Sequence, residues 1–325
     1  VGSDISMSEV TDGLVEAGAK IEKGQSLSLV PKDTELLIYT AALENFDAPL
    51  LAEIKKLKIP SISYSEALGI ISKNKYTIAV SGTHGKTTTT AMIAKVLIDA
   101  GLKPTVLVGS ILKEYKSNFV MGEGIPDSKN EKIKNGGYFV VEADEYKKSF
   151  HSLYPSILVI NNIDADHLDF YKDLADIQKA FNELALRVPV DGVIVCNAKD
   201  THTIPALKDV KCQIIDYTEY KKEIPELSVP GEHNRNNASC AYALVSFLGI
   251  SGEIIKKSLT TFSGTWRRFE LKGETKKGTL VYDDYAHNPQ KVTAVLQGTR
   301  EKYPDKKIIA IFQPHLFSRT KSLLK

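Results

Sequence analysis

The segment at 76–101 constrains the fold of this chain more than any other part of the sequence. Tyr76 to Val80 is a short run rich in β-branched residues, which predicts a strand. The segment at 81–87 contains two glycines, and apolar residues then recur at helical spacing over 87–100 until Gly101. A strand, a glycine-rich turn and a helix in that order indicate an α/β fold with a parallel sheet.

Strands and helices continue to alternate after this unit. Short apolar runs at 138–141, 157–160 and 192–196 predict further strands, and 174–187 has the spacing of an amphipathic helix. The pattern predicts a mostly parallel sheet covered by helices on both sides. Ligands bind beyond the carboxyl ends of such strands, so we expect the loop at 81–87 to meet the acidic residues after Val141.

Length and composition indicate two or more globular domains, and the order of predicted elements sets two flanking regions apart from the centre. The chain has 325 residues, of which 42% are hydrophobic, enough for more than one core. We predict an α/β unit at 1–74, a central domain at 75–264 and a further domain at 265–325. In the last part, 279–282 and 307–312 predict strands, with a helix after Pro289 between them. The chain starts and ends inside predicted domains, so both outer domains are expected to be partial.

Charge and cysteine content exclude several classes of protein. The 42 basic and 40 acidic residues nearly balance, which argues against nucleic acid or an anionic membrane as the main partner. Three cysteines without a CxxC pair fit a reducing compartment rather than a disulfide scaffold. No apolar run approaches the roughly 20 residues needed to span a bilayer. We therefore expect a cytoplasmic protein without membrane insertion.

The loop at 81–87 has the chemistry of a phosphate-binding loop. Gly82 and Gly85 allow backbone N–H groups to close around an anion, Lys86 can reach the terminal phosphates, and the Thr87 hydroxyl can bind Mg²⁺. The common pattern GxxxxGK[ST] has glycine where this chain has Val80, but the strand before the loop and the helix after it are the expected context. The alternative is a glycine-rich turn without a ligand.

Two polar clusters follow predicted strands. Glu142, Asp144 and Glu145 stand together, and carboxylates so close are unfavourable unless a cation lies among them. The second cluster, at 161–169, contains several carboxylates and His167, which could ligate a metal. A magnesium ion that carries ATP is usually held by one or two carboxylates. The alternatives are a solvated acidic turn and a surface histidine.

Seven motifs follow one another along the chain. They are Gly82-Thr83-His84-Gly85-Lys86-Thr87-Thr88-Thr89, Glu142-Ala143-Asp144-Glu145, Asn162-Ile163-Asp164-Ala165-Asp166-His167-Leu168-Asp169, Pro230-Gly231-Glu232-His233-Asn234 with Asn237, Arg267-Arg268-Phe269-Glu270, Asp283-Asp284-Tyr285-Ala286-His287-Asn288-Pro289, and Phe312-Gln313-Pro314-His315 with Arg319-Thr320. In this order they closely resemble the motifs of the Mur ligases of peptidoglycan synthesis.

The resemblance implies a three-domain α/β architecture. A Rossmann-like domain would bind a UDP-sugar, a central ATPase domain would bind ATP, and a Rossmann-like C-terminal domain would bind an amino acid. Lys86 would neutralise the ATP phosphates, Thr87 and Glu142 would hold Mg²⁺, and His167 would bind a metal near the acyl group. The resemblance further implies that Arg268 stabilises charge in the reaction. Residues implied to bind ATP are also Gly82, Thr83, His84, Gly85, Thr88, His233, Asn234, Asn237, Asp284 and His287, and those implied to contact the other substrates are Asp4, His84, His287, His315 and Arg319.

The resemblance is greatest to family members that attach L-alanine to UDP-N-acetylmuramate. It implies that ATP, with Mg²⁺, first phosphorylates the sugar's carboxylate, and that the amine of L-alanine then attacks the acyl phosphate. One alternative is a ligase that attaches a preformed tripeptide to the same sugar. Another is a nucleotide-binding fragment without turnover. The chain lacks the GxGxxG motif of dinucleotide-binding oxidoreductases, and we expect a monomer or homodimer.

Overall fold

A computed structural model describes residues 1–126 and 128–314. The strands in these residues are β1 Gly2–Asp4, β2 Ile21–Lys23, β3 Leu37–Tyr39, β4 Ser61–Ser63, β5 Tyr76–Ser81, β6 Thr105–Leu112, β7 Ser117–Val120, β8 Tyr138–Glu142, β9 Ile157–Ile160, β10 Val193–Cys196, β11 Gln213–Asp216, β12 Glu270–Glu274 and β13 Leu280–Asp283. The α-helices are α1 Glu9–Glu16, α2 Leu43–Phe46, α3 Ala48–Ile54, α4 Tyr64–Asn74, α5 Lys86–Asp99, α6 Glu131–Gly136, α7 Leu174–Ala185, α8 Glu232–Phe247, α9 Gly252–Thr261 and α10 Pro289–Lys302. Short 3₁₀ helices cover Leu27–Leu29, Tyr146–Ser152, Ile204–Leu207 and Tyr217–Glu223. The α/β class predicted from the sequence is confirmed.

A seven-stranded sheet forms the centre of the molecule, in the order β11-β10-β9-β5-β8-β6-β7. All its neighbouring strands are parallel except β6 and β7. Val80 of β5 lies opposite Glu142 of β8 on one side and Val159 of β9 on the other. The three strands therefore end at the same edge of the sheet, and the segments that follow them are brought together there.

Helices bury both faces of this sheet. Ile78 and Val80 of β5 pack with α5, α8 and α9 in one apolar cluster, whereas Ala79 packs with α7 in a second cluster on the other face. The side chains of a strand alternate between faces, so β5 is apolar throughout because both of its faces are covered. The strand that leads into the glycine-rich loop is thus held rigidly in the core.

Smaller units flank the central sheet. Near the N-terminus, β1 pairs with β2 and β3 with β4, each in parallel, over a small cluster of Leu43, Leu51 and Ile54. Near the other end, β12 and β13 form an antiparallel pair, and α10 approaches the start of α8. A Cβ at Gly298 of α10 would lie only 3.3 Å from the backbone of Gly231. The backbone of α10 thus comes close to the turn that precedes α8.

The predicted elements agree with the structure in the centre of the chain and differ near its end. The strand predicted at 279–282 is found at Leu280–Asp283, but the strand predicted at 307–312 is wrong, because that described segment has no strand. Ile309 and Ile311 in it are 74% and 97% exposed. A strand requires ladder hydrogen bonds to a neighbour, and alternating apolar residues do not form one without that neighbour. None of the described helices has both the length and the apolar character that a bilayer span requires.

Candidate functional site

The glycine-rich loop connects the end of β5 to the N-terminus of α5, which has no side-chain cap. Gly82 and Gly85 have φ angles of 132° and 85°, which are readily adopted only by glycine. Gly85 is the N-cap of α5. Because glycine has no side chain to cap the helix, no side-chain cap competes with an anion for the first N–H groups of α5. The loop is tied to the segment after β9, because His84 N donates to Asn162 Oδ1 at 2.9 Å and Thr83 N donates to Asn162 O at 3.0 Å.

Lys86 lies in a buried ion pair at the end of β8. Its ammonium donates to both carboxylate oxygens of Glu145, at 2.7 and 3.0 Å, and to the carbonyl of Gly82 at 2.8 Å. The two side chains are 13% and 3% exposed. Burial lowers the pKa of Lys86, but Glu145, Asp144 and Glu142 together outweigh it, so the pKa of the lysine is raised. The predicted meeting of the loop and the acidic segment is confirmed, with Glu145 as the partner of the lysine.

Thr87 joins the loop to Glu142 and to the last part of the chain. The Thr87 hydroxyl donates to Glu142 Oε1 at 3.0 Å, and the other oxygen of Glu142 accepts from Gly109 N at 2.7 Å. Arg268 Nη2 lies 3.3 Å from the same hydroxyl. A hydroxyl, a carboxylate and a guanidinium therefore meet beside the ammonium of Lys86. Oxygen atoms of this kind are the ligands that Mg²⁺ prefers.

His167 lies on the other side of the Lys86–Glu145 pair. Its Nε2 is 3.5 Å from Glu145 Oε1, and its ring centroid is 4.9 Å from that of Tyr146. Burial lowers the pKa of His167, but the hydrogen bond to Glu145 and nearby carboxylates raise it to a net value above normal. Ligand atoms of Asp144, Glu145 and His167 lie within 4.8 Å of one another, which suits a divalent metal. The sequence placed Glu145 in an acidic cluster that calls for a cation, but it did not identify Glu145 as the partner of Lys86.

A cavity of about 470 Å³ extends from the loop to α8 and α10. It contains most of the residues predicted to bind nucleotide, namely His84, Gly85, Thr88, His233, Asn234, Asn237, Arg268 and Asp284. Its other walls include Asn161 after β9, Tyr217, and Gln290 at the start of α10. The structure thus brings together residues that are up to about 200 positions apart in the sequence. A pocket of this size, with polar and apolar walls, suits a small-molecule ligand.

The segment after residue 264 contacts the loop directly. Gln290 Oε1 accepts from His84 Nε2 at 3.1 Å, and the amide nitrogen of Gln290 donates to Asp164 Oδ2 at 3.1 Å. Asp284 does not point a free carboxylate at the loop, because it accepts from the backbone N–H groups of Phe269 and Ala286, both at 2.7 Å. Asp284 therefore shapes the cavity wall. Sequence reasoning missed Gln290, which has no motif to reveal it.

Some predicted residues lie elsewhere. Asp4 ends β1 and lines a separate cavity of about 380 Å³ in the N-terminal part, where its carboxylate accepts from Ser6 N at 2.9 Å. His287 Nδ1 is hydrogen-bonded to the carbonyl oxygen of Tyr285 at 2.8 Å, and its Nε2 lies 3.3 Å from Lys291 Nζ. His287 does not line the cavity of about 470 Å³. His315 and Arg319 lie outside the described residues.

Three family models match the chain in succession. They are the Mur ligase family catalytic domain at residues 1–76, the Mur ligase middle domain at 80–226, and the Mur ligase glutamate ligase domain at 267–324. The match at 80–226 contains the glycine-rich loop, both acidic clusters and the strands from β6 to β11.

Individual relatives agree with the family models. The UDP-N-acetylmuramate–L-alanine ligase of Clostridium kluyveri is 41% identical over 351 aligned positions, which cover 100% of this chain and 74% of that protein. The ligase of the same name from Chlorobium phaeobacteroides is 37% identical and covers 98% of this chain and 72% of that protein. Among solved structures, the UDP-N-acetylmuramate-alanine ligase of Thermotoga maritima matches with a TM-score of 0.77 and 27% identity, covering 99% of this chain and 76% of that one. A murein peptide ligase from Psychrobacter arcticus matches with a TM-score of 0.74 and 28% identity, covering 97% and 73%.

Proposed function

This chain belongs to the Mur ligase family, and from that premise we propose that it joins L-alanine to UDP-N-acetylmuramate at the expense of ATP, in the synthesis of peptidoglycan precursors. The alanine ligase of Clostridium kluyveri, 41% identical over the whole of this chain, supports this substrate pair. One structural observation carries the proposal. Lys86, Thr87, Glu142 and Arg268 converge at one edge of the sheet, as an enzyme that transfers a phosphoryl group requires.

The chemistry accounts for this set of side chains. A carboxylate is a poor acyl donor, so we propose that the sugar's carboxylate attacks the γ-phosphorus of ATP and forms an acyl phosphate with release of ADP. The amine of L-alanine then attacks the acyl carbon, and phosphate leaves. Both steps spread negative charge over oxygen atoms, and Lys86 and Arg268 provide fixed positive charge beside them.

The phosphates of ATP compete with Glu145 for Lys86. In the structure the ammonium is held by Glu145 at 2.7 Å. A bound phosphate would take one of these hydrogen bonds, and Lys86 would remain charged throughout because carboxylate and phosphate both favour its protonated form. We propose that Glu145 keeps the lysine oriented until the nucleotide arrives.

We propose two sets of metal ligands for Mg²⁺. Thr87 and Glu142 form one set, whose oxygen atoms fit a hard cation. Asp144, Glu145 and His167 form the other, whose ligand atoms lie within 4.8 Å of one another. Bound Mg²⁺ supplies further neutralisation of phosphate charge.

The outer parts of the chain are assigned to the other substrates. We propose that residues 1–74, including Asp4, bind the UDP-sugar, that 75–264 bind ATP, and that 265–325 bind the amino acid through His287, His315 and Arg319. The site would form where these three domains meet. We further propose a cytoplasmic protein, monomeric or homodimeric, that acts on small molecules.

A second candidate is a ligase that adds a preformed peptide to the same UDP-sugar. Its support is the similarity to the murein peptide ligase of Psychrobacter arcticus, with a TM-score of 0.74. The two activities differ only in the acceptor amine. Incubating the protein with UDP-N-acetylmuramate, Mg-ATP and either L-alanine or the tripeptide L-alanyl-γ-D-glutamyl-meso-diaminopimelate separates them.

The expected product is UDP-N-acetylmuramoyl-L-alanine, detected by mass spectrometry, with ADP and phosphate released in equal amounts. Product with the tripeptide alone would replace the first proposal by the second. Binding of ATP without release of phosphate in either mixture would support a nucleotide-binding protein without turnover.

A further inference from the structure

The carboxylate of Glu142 is held between a helix and a strand. Its Oε1 accepts from the Thr87 hydroxyl of α5 at 3.0 Å, and its Oε2 accepts from the backbone N–H of Gly109 in β6 at 2.7 Å. Each oxygen thus has its own donor, and together the two hydrogen bonds fix the orientation of the carboxylate. The second donor belongs to a residue to which neither the sequence motifs nor the proposed mechanism gives a role.

The N–H of Gly109 can bind this side chain because the neighbouring strand ends beside it. The ladder between β6 and β8 stops at the pair Leu107–Val141, and Gly109 lies two residues further along β6. β8 itself ends at Glu142, whose side chain takes the place of the next ladder acceptor. A hydrogen bond from a backbone N–H to a carboxylate is charge-assisted and is stronger than the neutral bond of a ladder.

The Glu142 carboxylate occupies space that is open because residue 109 has no side chain. A Cβ at Gly109 would lie 2.8 Å from Oε2 and 3.0 Å from both Cδ and Oε1 of Glu142, and these would be its three nearest atoms. Such atoms are normally about 3.5 Å apart in contact, so a side chain at position 109 would displace the carboxylate by about half an ångström or more. The carboxylate would then leave the position in which it accepts from both donors.

The backbone conformation of Gly109 does not itself require glycine. Its φ lies outside the left-handed region, and the residue is an exposed member of the strand Thr105–Leu112. Extended backbone is open to every residue, and in a strand glycine is usually less stable than alanine. The reason for a glycine at this position is therefore the room that it leaves for Glu142.

The same strand holds the segment that carries Arg268. Ile111 O accepts from Trp266 N at 3.1 Å, and Ser110 Oγ donates to the carbonyl of Trp266, also at 3.1 Å. β6 thus positions Arg268 through Ser110 and Ile111, by contacts separate from the one that Gly109 makes. This separation provides a control within one strand.

We propose that Gly109 is a positioning residue for the binding of Mg²⁺: its N–H orients the Glu142 carboxylate toward Thr87, and its missing side chain leaves the room that this orientation needs. The inference rests on the proposed function, in which Thr87 and Glu142 hold the Mg²⁺ that accompanies ATP. Groups that orient a metal ligand without touching the metal affect metal affinity about 10- to 100-fold. A methyl group at position 109 therefore weakens the metal site without removing a ligand.

The test measures how far Mg²⁺ tightens the binding of ATP. Calorimetry on the purified chain, without other substrates, gives the dissociation constant of ATP in EDTA and in excess Mg²⁺. We call the first constant divided by the second the magnesium ratio, and we expect it to exceed about ten in the wild-type protein. Gly109→Ala should lower this ratio by about tenfold. Because the atoms nearest to the added methyl belong to a flexible side chain, the melting temperature should stay within about 4 °C of the wild-type value.

Two further variants show whether the methyl group acts through Glu142. In the Glu142→Ala background the carboxylate is absent, so the addition of Gly109→Ala should leave the magnesium ratio unchanged. Ser110→Ala, at the next residue of β6, removes the hydrogen bond to Trp266 and adds no atom near Glu142. This control should keep the wild-type magnesium ratio.

Three results would overturn the inference while leaving the proposed ligation intact. They are a wild-type magnesium ratio in Gly109→Ala, the same decrease in both backgrounds, and an equal decrease in Ser110→Ala. A melting temperature lowered by more than about 10 °C in Gly109→Ala would also overturn it, because the methyl group would then meet more than a movable side chain. A wild-type magnesium ratio near one would instead contradict Thr87 and Glu142 as metal ligands, and a wild-type protein that binds no ATP would overturn the proposed function.

Discussion

Lys86 of the glycine-rich loop and Glu145 after β8 form a buried ion pair, with the ammonium 2.7 and 3.0 Å from the two carboxylate oxygens. The pair is 59 residues apart in sequence and joins two neighbouring strands at their ends. Burial raises the pKa of Glu145, yet the charge of Lys86 lowers it to a net value below normal, so both groups are charged at neutral pH. Each buried charge is therefore stabilised by the opposite charge in place of water.

Replacing Glu145 by glutamine should destabilise the nucleotide-free protein. The substitution keeps the shape of the side chain but leaves the ammonium of Lys86 buried without its principal counter-charge. Removing one partner of a buried pair costs about 3 kcal/mol. Urea denaturation of the wild-type protein and of Glu145→Gln at pH 7.5 measures the difference in unfolding free energy.

The double variant Lys86→Met with Glu145→Gln is the control for that experiment. With both charges removed, no unpaired charge remains, and most of the lost stability should return. If Glu145→Gln alone costs less than about 1 kcal/mol, the pair behaves like an exposed one and the description of a buried pair is wrong.

Lys86→Ala should abolish ATP turnover in a protein that still folds. In the proposed mechanism the lysine provides a charge at the γ-phosphate, and losing one such group costs about 10²- to 10³-fold in rate. The variant leaves the buried Glu145 beside the imidazole of His167, at 3.5 Å, without the ammonium of Lys86, so some loss of stability is expected too. Phosphate release with all substrates present is the measurement, and circular dichroism shows whether the fold is retained. A near-normal rate would refute the role given to this lysine.

Local sequence patterns were enough to predict the centre of the fold. β5, α5, β8 and β9 were found within one or two residues of their predicted bounds, because each has a clear apolar period and a glycine or polar residue at its end. Their parallel order then placed the loop beside the acidic segment. These predictions depend on short-range information, which a single sequence contains.

Pairings between distant side chains could not be predicted in this way. The sequence shows three carboxylates after Val141, but only the turn of the chain there decides that Glu145 reaches Lys86 while Glu142 reaches Thr87. Gln290 contacts His84 across 206 residues, and no local pattern marks it.

Gly85→Ala should damage the loop far more than an alanine at another glycine of similar conformation. A Cβ at Gly85 would lie 2.2 Å from Asn237 Oδ1 and 2.6 Å from Asn161 Nδ2. Gly101 has a φ of 79°, close to the 85° of Gly85, but a Cβ there would have nothing within 4 Å. Gly101→Ala should therefore cost about 1 kcal/mol for backbone conformation alone.

Gly85→Ala adds a clash to the same conformational cost. We expect a loss of about 3 kcal/mol or more and at least about a tenfold weaker affinity for ATP, since the loop must move to relieve the contact. Urea denaturation gives the first value and calorimetry the second. Equal losses in the two variants would show that the surroundings of Gly85 are not restrictive.

The variant Lys148→Gly should be more stable than Lys148→Ala, although alanine usually stabilises a protein more than glycine does. Lys147 and Lys148 have φ angles of 52° and 57°, a left-handed conformation that disfavours side chains. The unfolding free energy of Lys148→Gly should exceed that of Lys148→Ala by about 1 kcal/mol. At Lys257, an exposed residue inside α9, the same comparison should favour alanine by about 1 kcal/mol. The same order at both positions would contradict the left-handed turn.

The pH dependence of stability should include a contribution from His84. Burial and Lys291 lower its pKa in the folded protein from the ordinary value of 6.5, against the weaker opposing effects of Gln290, Asp166 and Asp164. Between the folded and unfolded pKa values the unfolded chain binds more protons, so stability falls as pH decreases below about 6.5. Above that value the contribution is fully present.

His84→Asn removes this titration and retains a polar side chain in the loop. Unfolding free energies at pH 7.5, 6.5 and 5.5 should therefore decrease less steeply in the variant, by at most about 1.4 kcal/mol per pH unit for one proton. His151, whose pKa is also lowered by burial, contributes equally to both proteins and cancels in the difference. Parallel pH profiles would mean that His84 titrates as it does in the unfolded chain, and that the fold does not favour its neutral form.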